Sequence, residues 1–116
     1  MPDARQKSVF FADQSLKDTF EELKDGKHEE KELYLQINKA ISELEKNPSA
    51  GTKIPKANRP KIYLNKYGAN NLWKYDLRDG WRIIYYLKGN SVEILAIILE
   101  WMDHEAYERR FGYTER

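Results

Sequence analysis

Residues 72–88, LWKYDLRDGWRIIYYLK, decide how this chain folds. Successive side chains of a strand point to opposite faces, so the stretch reads as two half-buried strands. Trp73, Tyr75 and Leu77 fall on one face of the first, and Lys74, Asp76 and Arg78 on the other. Asp79-Gly80 follows where a tight turn belongs, because both residues tolerate the positive φ angles of a two-residue hairpin loop. In the second strand Trp81, Ile83, Tyr85 and Leu87 share a face, with Arg82, Ile84 and Tyr86 opposite. The expectation is an aromatic-rich hairpin with cations on one side, supported by the rest of the chain.

Upstream, SVFFA (8–12) reads as a first strand. Asp13 or Ser15 is placed to cap a helix, and Ser15 with Asp18 has capping-box spacing. Leu16, Phe20 and Leu23 recur at helical spacing up to about Lys24, and Asp25-Gly26 ends the run. A second helix is expected from about His28 to Lys46, with Leu33, Ile37, Ala40, Ile41 and Leu44 as its apolar stripe. Asn47-Pro48 stops it, since proline disfavours helical geometry in the residue before it. The two form an antiparallel helical hairpin.

Residues 48–71 carry three of the four prolines, two glycines and five basic residues. They read as a long connection with a short strand at Ile62–Leu64, and connections of this length in a small domain are often functional. Downstream of the hairpin, Ser91–Trp101 contains ILAIIL, apolar on both faces as in a covered central strand. The order predicts one α+β domain over residues 1–116, with the plan β-α-α-β-β-β. The helical hairpin packs on one face of a mostly antiparallel sheet.

Charge is segregated along the chain. Residues 1–47 carry 8 Lys/Arg and 11 Asp/Glu, residues 48–91 carry 9 and 2, and residues 92–116 carry 3 and 6. A cationic middle between acidic ends points to an anion-binding surface made by the loop and the hairpin. With no cysteine in the chain, disulfides, thiolate metal sites and cysteine nucleophiles are excluded. No apolar run reaches the length of a membrane span, and the N-terminus lacks a signal-peptide core, so a cytoplasmic location is expected. HExxH and clustered histidines are absent, and neither metal nor cofactor is expected.

The element order, together with Arg78, Gly80, Trp81, Arg82, Ile83, Ile84 and Tyr85 and then His104 and Tyr107, resembles the RelE/ParE toxin superfamily of type II toxin–antitoxin systems. Its members share this plan and a hairpin in which an arginine, a glycine, an aromatic residue and a second arginine precede an aliphatic pair and a tyrosine. One branch cuts messenger RNA, commonly on the ribosome, and the other inhibits DNA gyrase. The resemblance implies a metal-independent endoribonuclease with RNA and a cognate antitoxin protein as partners. Its alternatives are a gyrase-directed inhibitor or a non-catalytic relative that binds RNA or a partner. By resemblance, Lys74 and Arg82 stand where the ribonucleases carry a functional lysine and arginine. His104 and Tyr107 stand near the C-terminal histidine and tyrosine. Asp76 occupies the place of a second lysine, and Trp101 lies near that of a further arginine.

Metal-free RNA cleavage needs a base for the 2′-hydroxyl, cations for the phosphate and an acid for the leaving oxygen. The candidate catalytic residues are Lys74, Arg78, Arg82, His104 and Tyr107. The two arginines would hold phosphate, their alternative being pairing with Asp76 or Asp79. Lys74 would bind phosphate or act as base, and is otherwise an exposed strand lysine. His104 would be acid or base, and is otherwise a surface histidine. Tyr107 and Tyr113 would stack or donate a proton, and otherwise close the core. Lys53, Lys56, Arg59, Lys61 and Lys66 would contact RNA, with Tyr63 and Tyr67 stacking on bases, the alternative being a solvated loop.

Overall fold

In the computed structural model, which describes residues 4–112, the chain runs β1 (Gln6–Phe11), α1 (Gln14–Leu23), α2 (His28–Lys46), β2 (Thr52–Lys53), α3 (Lys61–Tyr67), β3 (Trp73–Asp76), β4 (Arg82–Gly89), β5 (Glu93–Met102) and α4 (His104–Phe111). Short 3₁₀ turns occupy Lys56–Asn58 and Arg78–Gly80. One sheet holds all five strands in the order β1-β5-β4-β3-β2. Only the β1–β5 pair is parallel. This is the expected α+β plan with two further helices, α3 and α4, and a further short edge strand, β2.

The helical hairpin forms where periodicity placed it. Asp13, not Ser15, caps α1, its carboxylate accepting from the Leu16 N–H at 2.8 Å. Ser15 is already inside the first turn, so the Ser15/Asp18 capping box does not form, and Asp18 instead accepts from the Gln14 amide at 2.8 Å. In α2 the Glu30 carboxylate takes the Lys27 N–H at 2.7 Å, and Leu33, Ile37, Ala40 and Leu44 are buried.

Asp79 and Gly80 both have positive φ, 59° and 79°, as the turn requires. The loop holds three residues rather than two, because Leu77 N–H donates to Trp81 O at 2.7 Å and leaves Arg78–Gly80 outside. Alternation survives on both strands. Ile83 and Tyr85, with Trp73, Tyr75 and Trp81 beside them, pack against α1 and α2. Ile84 faces the other way, into a second cluster with Ile54, Tyr63, Leu72, Tyr107 and Phe111.

β5 changes phase once. Ile84 pairs with Glu100 and Tyr85 with Ile98, which leaves Leu99 as the extra residue of a bulge. Ile98 therefore faces the helical hairpin while Leu99 joins the second cluster. Glu100 is left on the second face, paired with Ile84.

The expected strand at Ile62–Leu64 is instead part of α3. Pro60 sets up its start, and Gly68 ends it in the left-handed conformation at φ 70°. Tyr63 turns inward while Ile62 and Leu64 stay exposed, the reverse of what an apolar triplet suggests. The tail also gains a helix. The Asp103 carboxylate caps α4 by accepting from Ala106 N–H at 2.9 Å, and Gly112 closes it at φ 69°. Tyr113 lies outside the described residues. Among the described residues no helix is long and apolar enough to cross a membrane.

Tyr85 ties the start of the connection to the sheet. Its hydroxyl donates to Pro48 O at 2.9 Å and accepts from Gly51 N–H at 3.1 Å. Burial pushes this hydroxyl up to about 12 from an ordinary value of 10.0. The protonated form is thus favoured by folding. Its stabilisation is complete below about pH 10 and is lost as pH rises towards 12. Tyr85→Phe strands a carbonyl and an amide, and should cost about 1–3 kcal/mol at neutral pH. Urea titrations at pH 7, 10 and 11.5 should also find a smaller alkaline loss in the variant than in the parent chain.

Candidate functional site

The second sheet face carries a row of charged side chains at the hairpin end. Asp76 and Arg82 are direct cross-strand partners on β3 and β4, and Lys74 lies two residues before Asp76 on the same face. The Lys74 ammonium donates to both Asp76 oxygens, at 2.9 and 3.0 Å. Arg82 Nε lies 3.4 Å from the same carboxylate. Asp76 therefore draws two cations together and offsets part of their charge.

Arg82 is the most enclosed of these groups, its side chain 16% exposed. Its guanidinium lies over the Tyr107 ring at 4.3 Å, a cation–π geometry in a partly desolvated setting. Nη2 reaches His104 Nδ1 at 3.1 Å. Nη1 is buried and makes no hydrogen bond among the described residues, so the fork retains donor capacity.

His104 stands at the first turn of α4, which follows directly on β5. Arginine can only donate, so Nδ1 accepts and the neutral ring carries its proton on Nε2. Nε2 is 3.1 Å from a Glu108 oxygen, one turn along the helix. The ring is thus oriented from both sides while remaining more than half exposed, at 57%. The hairpin tip helps to place it. A Cβ added at Gly80 would lie 3.0 Å from His104 Cβ, so the turn glycine allows the close approach of α4.

The rest of α4 is fastened through the bulge of β5. Arg110 Nη1 donates to Glu100 at 2.8 Å and to the Tyr63 hydroxyl at 3.2 Å. Burial first, and then the Glu100 carboxylate, raises the Tyr63 hydroxyl well above its ordinary range. Tyr107 stacks on Phe111 at 4.3 Å and Phe111 on Tyr63 at 5.9 Å, which extends the packing from Arg82 to α3.

Of the five residues expected to be catalytic, Lys74, Arg82, His104 and Tyr107 converge. Arg78 does not. The turn carries it to the helical face, where its backbone N–H meets Gln36 at 2.7 Å and its guanidinium lies 3.4 Å from Glu32. There it borders a recess of about 780 Å³ between α2 and β3, lined by Leu35, Gln36, Tyr75 and Leu77 among others. Tyr107 is 2% exposed and lies beneath the guanidinium.

The expected loop cations separate into different settings. Lys53 pairs across the edge with Trp73, a residue of the helical face, and so alternates away from Lys74. Arg59 is a clamp, with Nε donating to Ile54 O at 2.9 Å and Nη1 to Asn70 O at 3.2 Å. Lys66 lies over the Tyr67 ring at 5.3 Å, while Lys56 and Lys61 are exposed. Tyr63 is buried and not open to a base. Glu108 and the Arg110–Glu100 pair were missed by sequence reasoning. The i,i+4 spacing of His104 and Glu108 was the available signal. Among the described residues no group of His, Cys, Asp and Glu could hold a metal ion.

Set against known proteins, residues 11–103 match the family model described as ParE toxin of type II toxin-antitoxin system, parDE. No curated protein and no solved structure matches the chain significantly. The matched span runs from the end of β1 to the cap of α4, and so takes in the helical hairpin and the whole meander that carries Lys74, Asp76 and Arg82. The chain therefore belongs to the ParE toxin family of type II toxin–antitoxin systems, and its partner is an antitoxin.

Proposed function

We propose that this toxin is a metal-independent endoribonuclease acting on messenger RNA, with Arg82, His104, Glu108 and Lys74 as its working groups. The observation that carries the reading is the line Arg82–His104–Glu108, with contacts of 3.1 Å on each side of the imidazole. A carboxylate holds the proton on Nε2 and leaves Nδ1 basic, beside a guanidinium suited to phosphate. When a phosphodiester replaces His104 on the Arg82 fork, Nδ1 is free to take the proton of the 2′-hydroxyl. The 2′-oxygen attacks phosphorus and the bond to the 5′-oxygen breaks, leaving a 2′,3′-cyclic phosphate. The departing oxygen takes its proton from Lys74, which the sheet order sets on the far side of Arg82 from His104. Tyr107 serves as the platform under the guanidinium rather than as a proton donor.

Asp76 favours a second reading. It ties up both Lys74 and Arg82, as suits a face that meets a protein rather than a polyanion. In that case the toxin inhibits gyrase without nuclease chemistry. Gyrase stalling and DNA-damage signalling on expression, with RNA left intact, would select it. Unimpaired growth under strong expression of soluble protein would instead point to a non-catalytic relative.

Purified protein should cleave a defined messenger in EDTA, either free or bound to ribosomes. Arg82→Ala is expected to lower the rate about a hundred- to a thousandfold. His104→Ala should cost about a hundredfold or more. Both should retain the circular dichroism of the parent and bind its antitoxin. Messenger left whole by the parent chain in both settings would end the enzyme reading. Undiminished cleavage by a folded Arg82→Ala protein would remove Arg82 from the mechanism.

Asp76→Asn makes a separate test of the electrostatics. Releasing Lys74 and Arg82 from their shared carboxylate should tighten RNA binding by about two- to fivefold, the scale of an exposed ion pair. Fluorescence anisotropy with an uncleavable oligonucleotide would measure it, and weaker binding would contradict the assignment of this face to RNA.

A further inference from the structure

A second recess on the same sheet face is not used by the Arg82 cluster. It lies between the Lys56–Asn58 turn and α3, with a volume of about 450 Å³. Ala57, Pro60 and Leu64 give it open apolar walls above the buried Tyr63, Ala69 and Leu72, and Lys56, Arg59 and Lys61 stand around it. Its cations differ from those of the charged row. Lys74 and Arg82 share Asp76, and Arg110 holds Glu100. Arg59 is held by two backbone carbonyls, which fix the guanidinium without neutralising it. Among the described residues no carboxylate pairs with Arg59, Lys56 or Lys61. Three cations of the middle segment thus border one recess without a carboxylate partner.

Arg59 also borders an adjoining recess, again of about 450 Å³, with Asn58, Arg109 and Phe111. That second recess lies at the C-terminal end of α4, whose first turn carries His104. An eight-residue helix spans about 12 Å. A strand laid along α4 from Arg82 would therefore reach Arg59 within a short distance.

We propose that the cleft between the Lys56–Asn58 turn and α3 is a nucleotide subsite for single-stranded RNA. One base enters the apolar cleft, and the phosphates beside it lie on Arg59, Lys56 and Lys61. The proposal rests on the ribonuclease reading and extends it by saying where the strand runs away from the scissile bond. Every base presents an apolar π-face, so such a cleft accepts bases with little sequence preference. A guanidinium already fixed by the backbone loses little freedom when it takes a phosphate. Arg59 thereby does two things, since the bonds that hold the connection in place also aim its charge.

The test uses the full chain and a fluorescein-labelled hexamer of 2′-O-methyl RNA, which has no free 2′-hydroxyl and is not cut. Anisotropy titrations at three salt concentrations give affinity and salt slope. The double variant Lys56→Ala/Lys61→Ala removes exposed side chains only, and circular dichroism should confirm its fold. Its affinity should fall about tenfold, and its salt slope by about 1.4, from about 0.7 for each phosphate contact on a single strand. Ala57→Trp places a large ring at the cleft, and should weaken binding several-fold while leaving the slope unchanged. If both bind the hexamer like the parent while Arg82→Ala binds it weakly, the cleft proposal falls and the ribonuclease reading stands. If the parent itself does not bind the hexamer or ribosome-bound messenger, both fall. If the double variant loses an acidic peptide of repeated Glu-Leu but keeps the hexamer, the cleft belongs to a protein partner and the proposal is overturned.

Discussion

Ile83, Ile84 and Tyr85 are consecutive, and none has any exposed surface. In a strand this is satisfied only when both faces of the sheet are covered. Most of the architecture follows from that demand. The amphipathic hairpin of α1 and α2 covers the side of Ile83 and Tyr85. It cannot reach Ile84, so α3, α4 and the connection around Ile54 close the other side. The charged row lies where this second cover meets the hairpin end of the sheet. Burial of one isoleucine thus brings α4 down on Arg82, and the site is a by-product of completing a core.

The parts of the fold legible in the sequence were those governed by a local period. The stripe Leu33, Ile37, Ala40 and Leu44 repeats at helical spacing, and α2 is found where that stripe lies. The two hairpin strands keep their alternation, and their faces are assigned as expected. α3 was not legible by that route. Ile62, Tyr63 and Leu64 are all apolar, and only Tyr63 is inside. Pro60 and Gly68 carried the better signal, because they bound a segment of two turns too short to show a period. The hairpin loop differs by one residue for a similar reason: Asp-Gly sets the sign of φ, but the backbone bond from Leu77 to Trp81 sets the count.

The site was half legible. Lys74 and Asp76 share a face by strand parity, and the three-residue loop, one longer than expected, pairs Asp76 with Arg82 so that the three meet. Arg78 has the same parity but stands beyond the last ladder pair, where parity no longer governs direction. His104 and Tyr107 could be placed only by resemblance, since their approach to Arg82 depends on how α4 docks. That docking rests on the bulge at Leu99, which leaves Glu100 on the face where Arg110 finds it. Charge segregation suggested an anion-binding surface on the loop and the hairpin, whereas Asp76 offsets part of the charge of Lys74 and Arg82 there, and Glu100 and Glu108 pair with Arg110 and His104 of α4.

The parallel pairing of β1 with β5 has a consequence for the life of the molecule rather than for its shape. Gln6 pairs with Glu93 and Phe11 with Ile98, so among the described residues the first strand made has its sheet neighbour in the last. A ribosome releases chain from the N-terminus onward, and pairings between distant segments wait for the later one. Until β5 is made, the inner side chains of β1, Val9 and Phe11, have no sheet to join. The histidine that meets Arg82 emerges after β5 itself. The fold is therefore incomplete until β5 has been made, and a cell that makes this toxin has that interval in which to supply the protein that restrains it.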